Sequence, residues 1–230
     1  MRALLNLVLL LGLLLAADIG RYAFLPDIAA LRQHDPGKTA FMRYRERQWA
    51  EEGRGALSIR QQWVPLSRIS RNLQRAVVIS EDDKFWDHRG FDYDAIVMAF
   101  EENIRSKTFA LGASTITQQL AKNLFLSPSK NPVRKIKEAL LTWRLERALS
   151  KRRILELYLN IAEWGDGVFG AEQASRHYFG KSARFLTPSQ AARLAAVLPN
   201  PLKYSPSGSS RYVAQRADRI YRIMRRRGYL

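Results

Sequence analysis

Three carboxylates in a row, Glu81, Asp82 and Asp83, close the apolar run 76–80 and stand just ahead of Phe85, Trp86 and His88. Like charges raise one another's pKa, and an apolar wall raises it further. Such a cluster suits a carboxylate used as a general base near neutral pH; a solvated acidic turn would carry the same residues. A second acidic position, Glu138, has Arg134 four residues before it and Lys135 three before it, so both cations reach it on a helix. Opposite charge favours the ionised form, so Glu138 is expected to be the more acidic of the two. Cations aligned in this way also suit a diphosphate, although an ordinary solvated helix face has the same spacing. Between the two sites, Thr115, Gln119 and Lys122 are spaced by four and three residues and share one helix face near its N-terminus. They offer hydroxyl, amide and ammonium donors to a sugar diphosphate.

The elements that must position these groups read as helices. Thr115 and Gln118 have capping-box spacing, and Ile116, Leu120 and Leu124 then repeat every four residues. Asn131 caps the next helix with Pro132 at its first position, and Val133, Ile136, Leu140 and Leu141 supply its apolar stripe. Ser150 starts another helix carrying Ile154, Leu157, Tyr158 and Ile161, and Thr187, Pro188 and Gln190 start a further one. The last helix is expected over roughly 211–226. Alternating strand patterns are scarce, and the run 76–80 fits strand or helix. Residues 26–70 are polar and broken by Pro26, Pro36, Gly37, Gly53, Gly55 and Pro65, with one helical stretch around 40–52.

The ordered set EDDKFWDHRGFD, GASTITQQLAKNLF, RKIKEALLTWRLE, RILELYLNIAEWG and GAEQASRHYFGK resembles the peptidoglycan glycosyltransferase family, the module that polymerises lipid II in penicillin-binding proteins and monofunctional transglycosylases. The segments span about residues 67–203. The stretches at 39–45, 160–170 and 195–201 look most like the monofunctional branch found in Gram-negative bacteria. The resemblance implies an all-α, lysozyme-like two-lobed domain that acts as an inverting glycosyltransferase, joining lipid II into β-1,4-linked strands and releasing undecaprenyl diphosphate. It implies Glu81 as the base on the acceptor 4-hydroxyl and Glu138 at the donor diphosphate. Asp82, Phe85, His88 and Gly90 match the rest of the first motif. Ser114, Thr115, Gln118, Gln119, Lys122 and Asn123 match the second, and Arg134 and Lys135 complete the third. Lys130 and Lys137 lie where some relatives place further phosphate-binding cations. No covalently bound cofactor is implied; a divalent cation, Mg2+ or Mn2+, at the diphosphate is in keeping with a good leaving group that needs its charge neutralised.

Composition and the N-terminus fix the setting. The chain has 230 residues with 38 Lys+Arg against 21 Asp+Glu, a formal net charge of +17. Its length buries a sizeable core without staples, and the absence of cysteine excludes thiol catalysis, Cys-based zinc sites and disulfide scaffolds. Residues 3–17 are apolar apart from Asn6. Fifteen helical residues rise about 22 Å, short of a hydrocarbon core of about 30 Å, and continuing to residue 25 closes the gap. A signal anchor over 1–25, a membrane-proximal connector over 26–66 and a catalytic domain over 67–230 are expected, with a cleaved signal peptide as the alternative. Either delivers the domain to the periplasmic side of a bacterial inner membrane. The expected partners are lipid II, the growing lipid-linked strand, the anionic membrane surface, and cell-wall synthesis or division proteins; nucleic acid is not among them. Two motifs are decoys: GDGVFG at 165–170 lacks the strand context of a dinucleotide fingerprint, and the S-x-x-K from Ser127 to Lys130 has no S-D-N or K-T-G after it. No transpeptidase is therefore expected. A lytic glycan-cleaving enzyme and a non-catalytic tethered binder using the seven arginines of 211–227 remain rival readings.

Overall fold

A computed structural model describes residues 1–106, 114–129 and 131–230; Lys130 lies outside the described residues. The first helix, α1 (Arg2–Gly20), has no buried residue. With the short turn after it, the segment Arg2–Ala23 is long and apolar enough to cross a membrane, by length and composition, which suggests a single-pass anchor. Helix α2 (Ala40–Glu51) is capped by Thr39, whose hydroxyl accepts from the Met42 N–H at 3.1 Å, and it buries Met42 and Trp49 two turns apart.

The chain is predominantly helical, and among the described residues three short strands make one small sheet. β1 (Arg60–Gln61) runs parallel to β3 (Val168–Phe169), which pairs antiparallel with β2 (Glu163–Gly165). Strands of two or three residues have no period for sequence patterning to detect. Through β1 and α2 the expected connector is docked onto the catalytic body rather than strung beside it. The hairpin also accounts for the decoy glycines. Gly167 (φ +72°) would place a Cβ 2.9 Å from the Ser58 carbonyl oxygen, and Gly170 (φ +83°) 2.6 Å from that of Asn160. Only glycine fits such close backbone approaches.

The remaining helices are α3 (Arg71–Glu81), α4 (Tyr93–Ser106), α5 (Ile116–Phe125), α6 (Pro132–Ala148), α7 (Lys151–Ile161), α8 (Ala171–Phe179), α9 (Pro188–Val197) and α10 (Arg211–Arg226). The run 76–80 is therefore helical. The expected capping box at Thr115 with Gln118 is present, and the helix start at Thr187 is also a capping box, with Gln190. Asn131 and Ser150 cap α6 and α7 through their side chains. One continuous core runs through α3, α5, α6, α7, α9 and α10, with Leu73, Ile116, Leu120, Leu141, Leu145, Ile154 and Leu194 fully buried. Fully burying a Leu or Ile side chain contributes about 1.5–3 kcal/mol, so this core fixes the helix ends that carry the acidic residues. Helix α4 is different: Tyr93, Val97, Met98, Phe100 and Ile104 are exposed.

Candidate active site

Glu81 is the last residue of α3 and points toward α5. Its side chain is 9% exposed. Oε2 accepts from Gln119 Nε2 at 3.1 Å, Oε1 accepts from the Ser80 hydroxyl at 3.1 Å, and an Arg216 nitrogen stands 3.6 Å from Oε1. Burial pushes the Glu81 carboxyl above its ordinary range; Gln119, Arg216 and Ser80 oppose the shift, and the neighbouring Asp82 adds to it. The Gln119 amide is oriented from behind: the Tyr158 hydroxyl donates to its Oε1 at 2.9 Å, which turns the NH2 toward Glu81. Burial holds the Tyr158 hydroxyl well above its usual pKa, so it stays a donor.

Asp82 looks the other way. Its Oδ2 accepts the Ile116 backbone N–H at 2.9 Å, supplying an acceptor to the first turn of α5. Its Oδ1 accepts from His88 Nε2 at 2.8 Å; the ring is held in that tautomer because Nδ1 accepts the Gly90 N–H at 3.0 Å. The Gly90 carbonyl in turn accepts from the Thr115 hydroxyl at 2.7 Å. Gly90 has φ +91°, and a Cβ there would lie 2.8 Å from Thr142 Cγ2 on α6. Phe85 is fully buried and packs edge-on against Trp86 and His88, with Lys151 Nζ 4.5 Å from its ring centre. Asp82, Phe85, His88, Gly90 and Thr115, expected as substrate contacts, make these contacts within the protein, and Gln118 Oε1 accepts the Thr115 N–H at 3.0 Å. They lock the 82–90 loop to α5 and α6 and hold Glu81 in place.

Glu138 lies on α6 with its side chain 3% exposed. Both carboxylate oxygens are engaged by cations, Oε2 by Arg134 and Oε1 by Lys135. Lys135 Nζ is also 3.3 Å from the exposed Ser114 hydroxyl. Lys122, on α5, sits among these groups without a hydrogen bond among the described residues. Burial, with Arg134 and Lys135 nearby, lowers its pKa; Glu138 and Glu81 pull it back up. Lys137 pairs with Asp18 of α1 and lies 5.3 Å from the Tyr22 ring centre. Three residues after Arg134 on α6, it lines the same cavity as Arg134, between α6 and α1.

A cleft of about 320 Å³ opens beside Gln119, Lys122, Asn123 and Tyr158 and is closed by α2 and the 198–202 turn. Among the described residues no group of three His, Cys, Asp or Glu side chains could hold a metal ion, and Glu138 already has both oxygens on cations. These residues do not form a resident metal cage. Residues missed in the sequence are Tyr158, Arg216, Arg45 and Glu163. Tyr158 was legible only as part of an apolar stripe, and Arg216 only as one of seven arginines. Arg45 is bidentate on the buried Glu163, with Nε 2.9 Å from Oε1 and a terminal nitrogen 2.7 Å from Oε2, and the two are far apart in the chain.

Comparison with known proteins agrees with this geometry. The family model described as Transglycosylase matches residues 51–225. A biosynthetic peptidoglycan transglycosylase of Azoarcus sp. (strain BH72) is 53% identical over 194 residues, covering 84% of this chain and 83% of that protein. Another of the same name, from Janthinobacterium sp. (strain Marseille), is 45% identical over 224 residues, covering 97% of this chain and 96% of its own. One from Chromobacterium violaceum is 50% identical over 193 residues, with 84% of each covered. With the match running across both glutamates and nearly the whole catalytic body, the chain belongs to the transglycosylase family of peptidoglycan glycosyltransferases.

Proposed function

We propose that this protein polymerises lipid II into β-1,4-linked glycan strands, with the growing lipid-linked strand as donor and no transpeptidase step. The observation that carries the reading is the pairing of two buried glutamates in opposite settings, Glu81 among neutral donors and Glu138 between two cations. Glu81 takes the proton from the acceptor 4-hydroxyl. The freed oxygen pair attacks the donor's anomeric carbon from the face opposite the diphosphate. The anomeric C–O bond breaks, its electrons leave on the diphosphate, and the configuration inverts from α to β. Arg134, Lys135 and Lys122 receive that charge, so no acid need protonate the leaving group. A preorganised donor set of this kind is worth most in a dry site.

Any divalent cation at the diphosphate would draw its ligands chiefly from phosphate oxygens. The apolar α1 supports a single-pass anchor, and the reading sets the domain on the outer face of a bacterial inner membrane, with lipid II and an anionic surface as its surroundings. Cell-wall synthesis or division proteins are its natural protein partners. The decisive experiment incubates the purified full chain in lipid or detergent with labelled lipid II. The expected product is high-molecular-weight polymer that lysozyme digests; folded protein that yields none sinks the reading.

A further inference from the structure

The family match begins at residue 51, so all of α2 but its last residue lies ahead of it. Yet α2 supplies one wall of the cleft that runs on from the catalytic residues. Phe41, Tyr44 and Arg45 face the cleft from α2, opposite Gln119, Lys122 and Tyr158. Gln119 is the hydrogen-bond donor to Glu81, and Lys122 feels both glutamates, so this cleft is continuous with the reaction centre. The wall is firmly held. Met42 and Trp49 are buried along α2, Trp49 Nε1 donates to Asp166 at 3.0 Å, and Arg45 clamps the buried Glu163 of β2. On the near side Phe41 and Tyr44 stack at 6.2 Å with an interplanar angle of 23°. Phe41 is steadied by the edge of Phe169 at 6.4 Å and by Arg45, 5.0 Å from its ring centre. Both rings remain partly exposed.

We propose that α2 is a substrate-binding element whose Tyr44 and Phe41 hold sugar rings of the growing lipid-linked strand in this cleft, with Arg45 as the residue that positions the wall. The inference rests on the polymerase reading and names a binding surface within it. A rigid aromatic face with one wet edge fits a sugar ring, which is apolar on its C–H faces and polar around its rim. The cleft has the size of an ordinary small-molecule site, about 300–1,000 Å³. Its contents lie next to Lys122, where the donor's diphosphate is placed, so a ring held there aligns the anomeric carbon with the acceptor. Holding the product strand also lets it serve as donor again without leaving.

The test compares wild type, Tyr44→Ala and Tyr44→Phe as full-length protein, with folding checked by circular dichroism melting. Two readouts are used: the KM for a synthetic tetrasaccharide linked to lipid diphosphate, extended with lipid II, and the strand length made from lipid II alone. Tyr44→Ala should raise the donor KM about tenfold and shorten strands severalfold, and Tyr44→Phe should restore both. Direct binding of the tetrasaccharide diphosphate should weaken in parallel. A folded Tyr44→Ala that polymerises with unchanged donor KM and strand length overturns the role of α2 and leaves the polymerase reading intact. Wild-type protein that makes no polymer removes the wider reading instead, and the binding measurement still judges whether α2 holds the saccharide.

Discussion

Glu81 and Glu138 are the same residue type, each on a helix and each nearly buried, and the structure gives them opposite company. Glu81 accepts from the neutral Gln119 and Ser80 and has one cation, Arg216, at 3.6 Å. Glu138 has a cation on each oxygen. Around Glu81 burial outweighs the cation and the carboxyl is raised, which fits a group that must take up a proton and hold it. At Glu138 both oxygens are taken up by Arg134 and Lys135. That carboxylate is suited to organising two cations, which then face a departing diphosphate as a fixed array. A carboxylate's role here is set by what its neighbours can donate.

The largest expected effect is at Glu81. Glu81→Gln keeps the shape and can still accept from Gln119, but it cannot take a proton. Polymer formation should fall by about 10²–10⁴-fold, the usual worth of a positioned general base, while lipid II binding survives. Both are read by gel assay and by lipid II binding to the full chain. The comparison breaks if Glu138→Gln gives the same pattern of lost turnover with intact donor binding. Glu138→Gln should instead weaken the donor, because Arg134 and Lys135 lose their anchor.

Next is Lys122→Ala, which removes the cation that no described side chain holds by a hydrogen bond. The donor KM should rise about 10–100-fold, in line with one charge-assisted contact of about 1.5–3 kcal/mol, with the fold retained. An unchanged donor KM would move the diphosphate away from α5 and leave Glu138's cations to bind it alone.

How much of this was legible depends on the distance over which each interaction acts. The capping box at Thr115, the Asn131 cap, the helix starts at Ser150 and Thr187 and the 134/135/138 triad are local, and spacing alone set them out. The motif series identified Glu81 and Gln119 as site residues without revealing that Tyr158, 39 positions beyond Gln119, fixes its amide. Arg45 and Glu163 are 118 residues apart, and Arg216 and Ser80 are 136 apart; nothing in their local patterns hints at the pairing. Lys137 shows the same limit: its place three residues after Arg134 was legible, but its pairing with Asp18, 119 residues away, was not.

A stability test probes the scaffold that keeps the two glutamates apart. Gly90→Ala puts a methyl group 2.8 Å from Thr142 Cγ2 and 3.0 Å from Glu146 Cγ at a positive φ. The strain should cost about 1–3 kcal/mol and lower the melting temperature by several degrees. An unchanged melting temperature would mean that the 82–90 loop shifts freely. It could not then be what locates Glu81.

The smallest effect is also the most direct test of the balance at Glu81. Arg216 is one of the groups that hold the carboxyl down against burial, and it donates to the Ser80 hydroxyl at 3.0 Å and the Ser80 carbonyl at 3.3 Å. Arg216→Met keeps the aliphatic stem and removes the charge, so the Glu81 carboxyl should rise further. The base form is the deprotonated one, so the acid limb of the kcat/KM profile should move to higher pH. The rate should fall on the acid side and converge on wild type once pH exceeds the shifted limb. Arg216→Lys should bring most of the limb back, which a loss of packing alone would not do. A limb that stays put, or moves down, would mean that Gln119 and Ser80 set the Glu81 carboxyl without help from the cation. The two glutamates would then differ more sharply still, one held by neutral donors only and the other by charge.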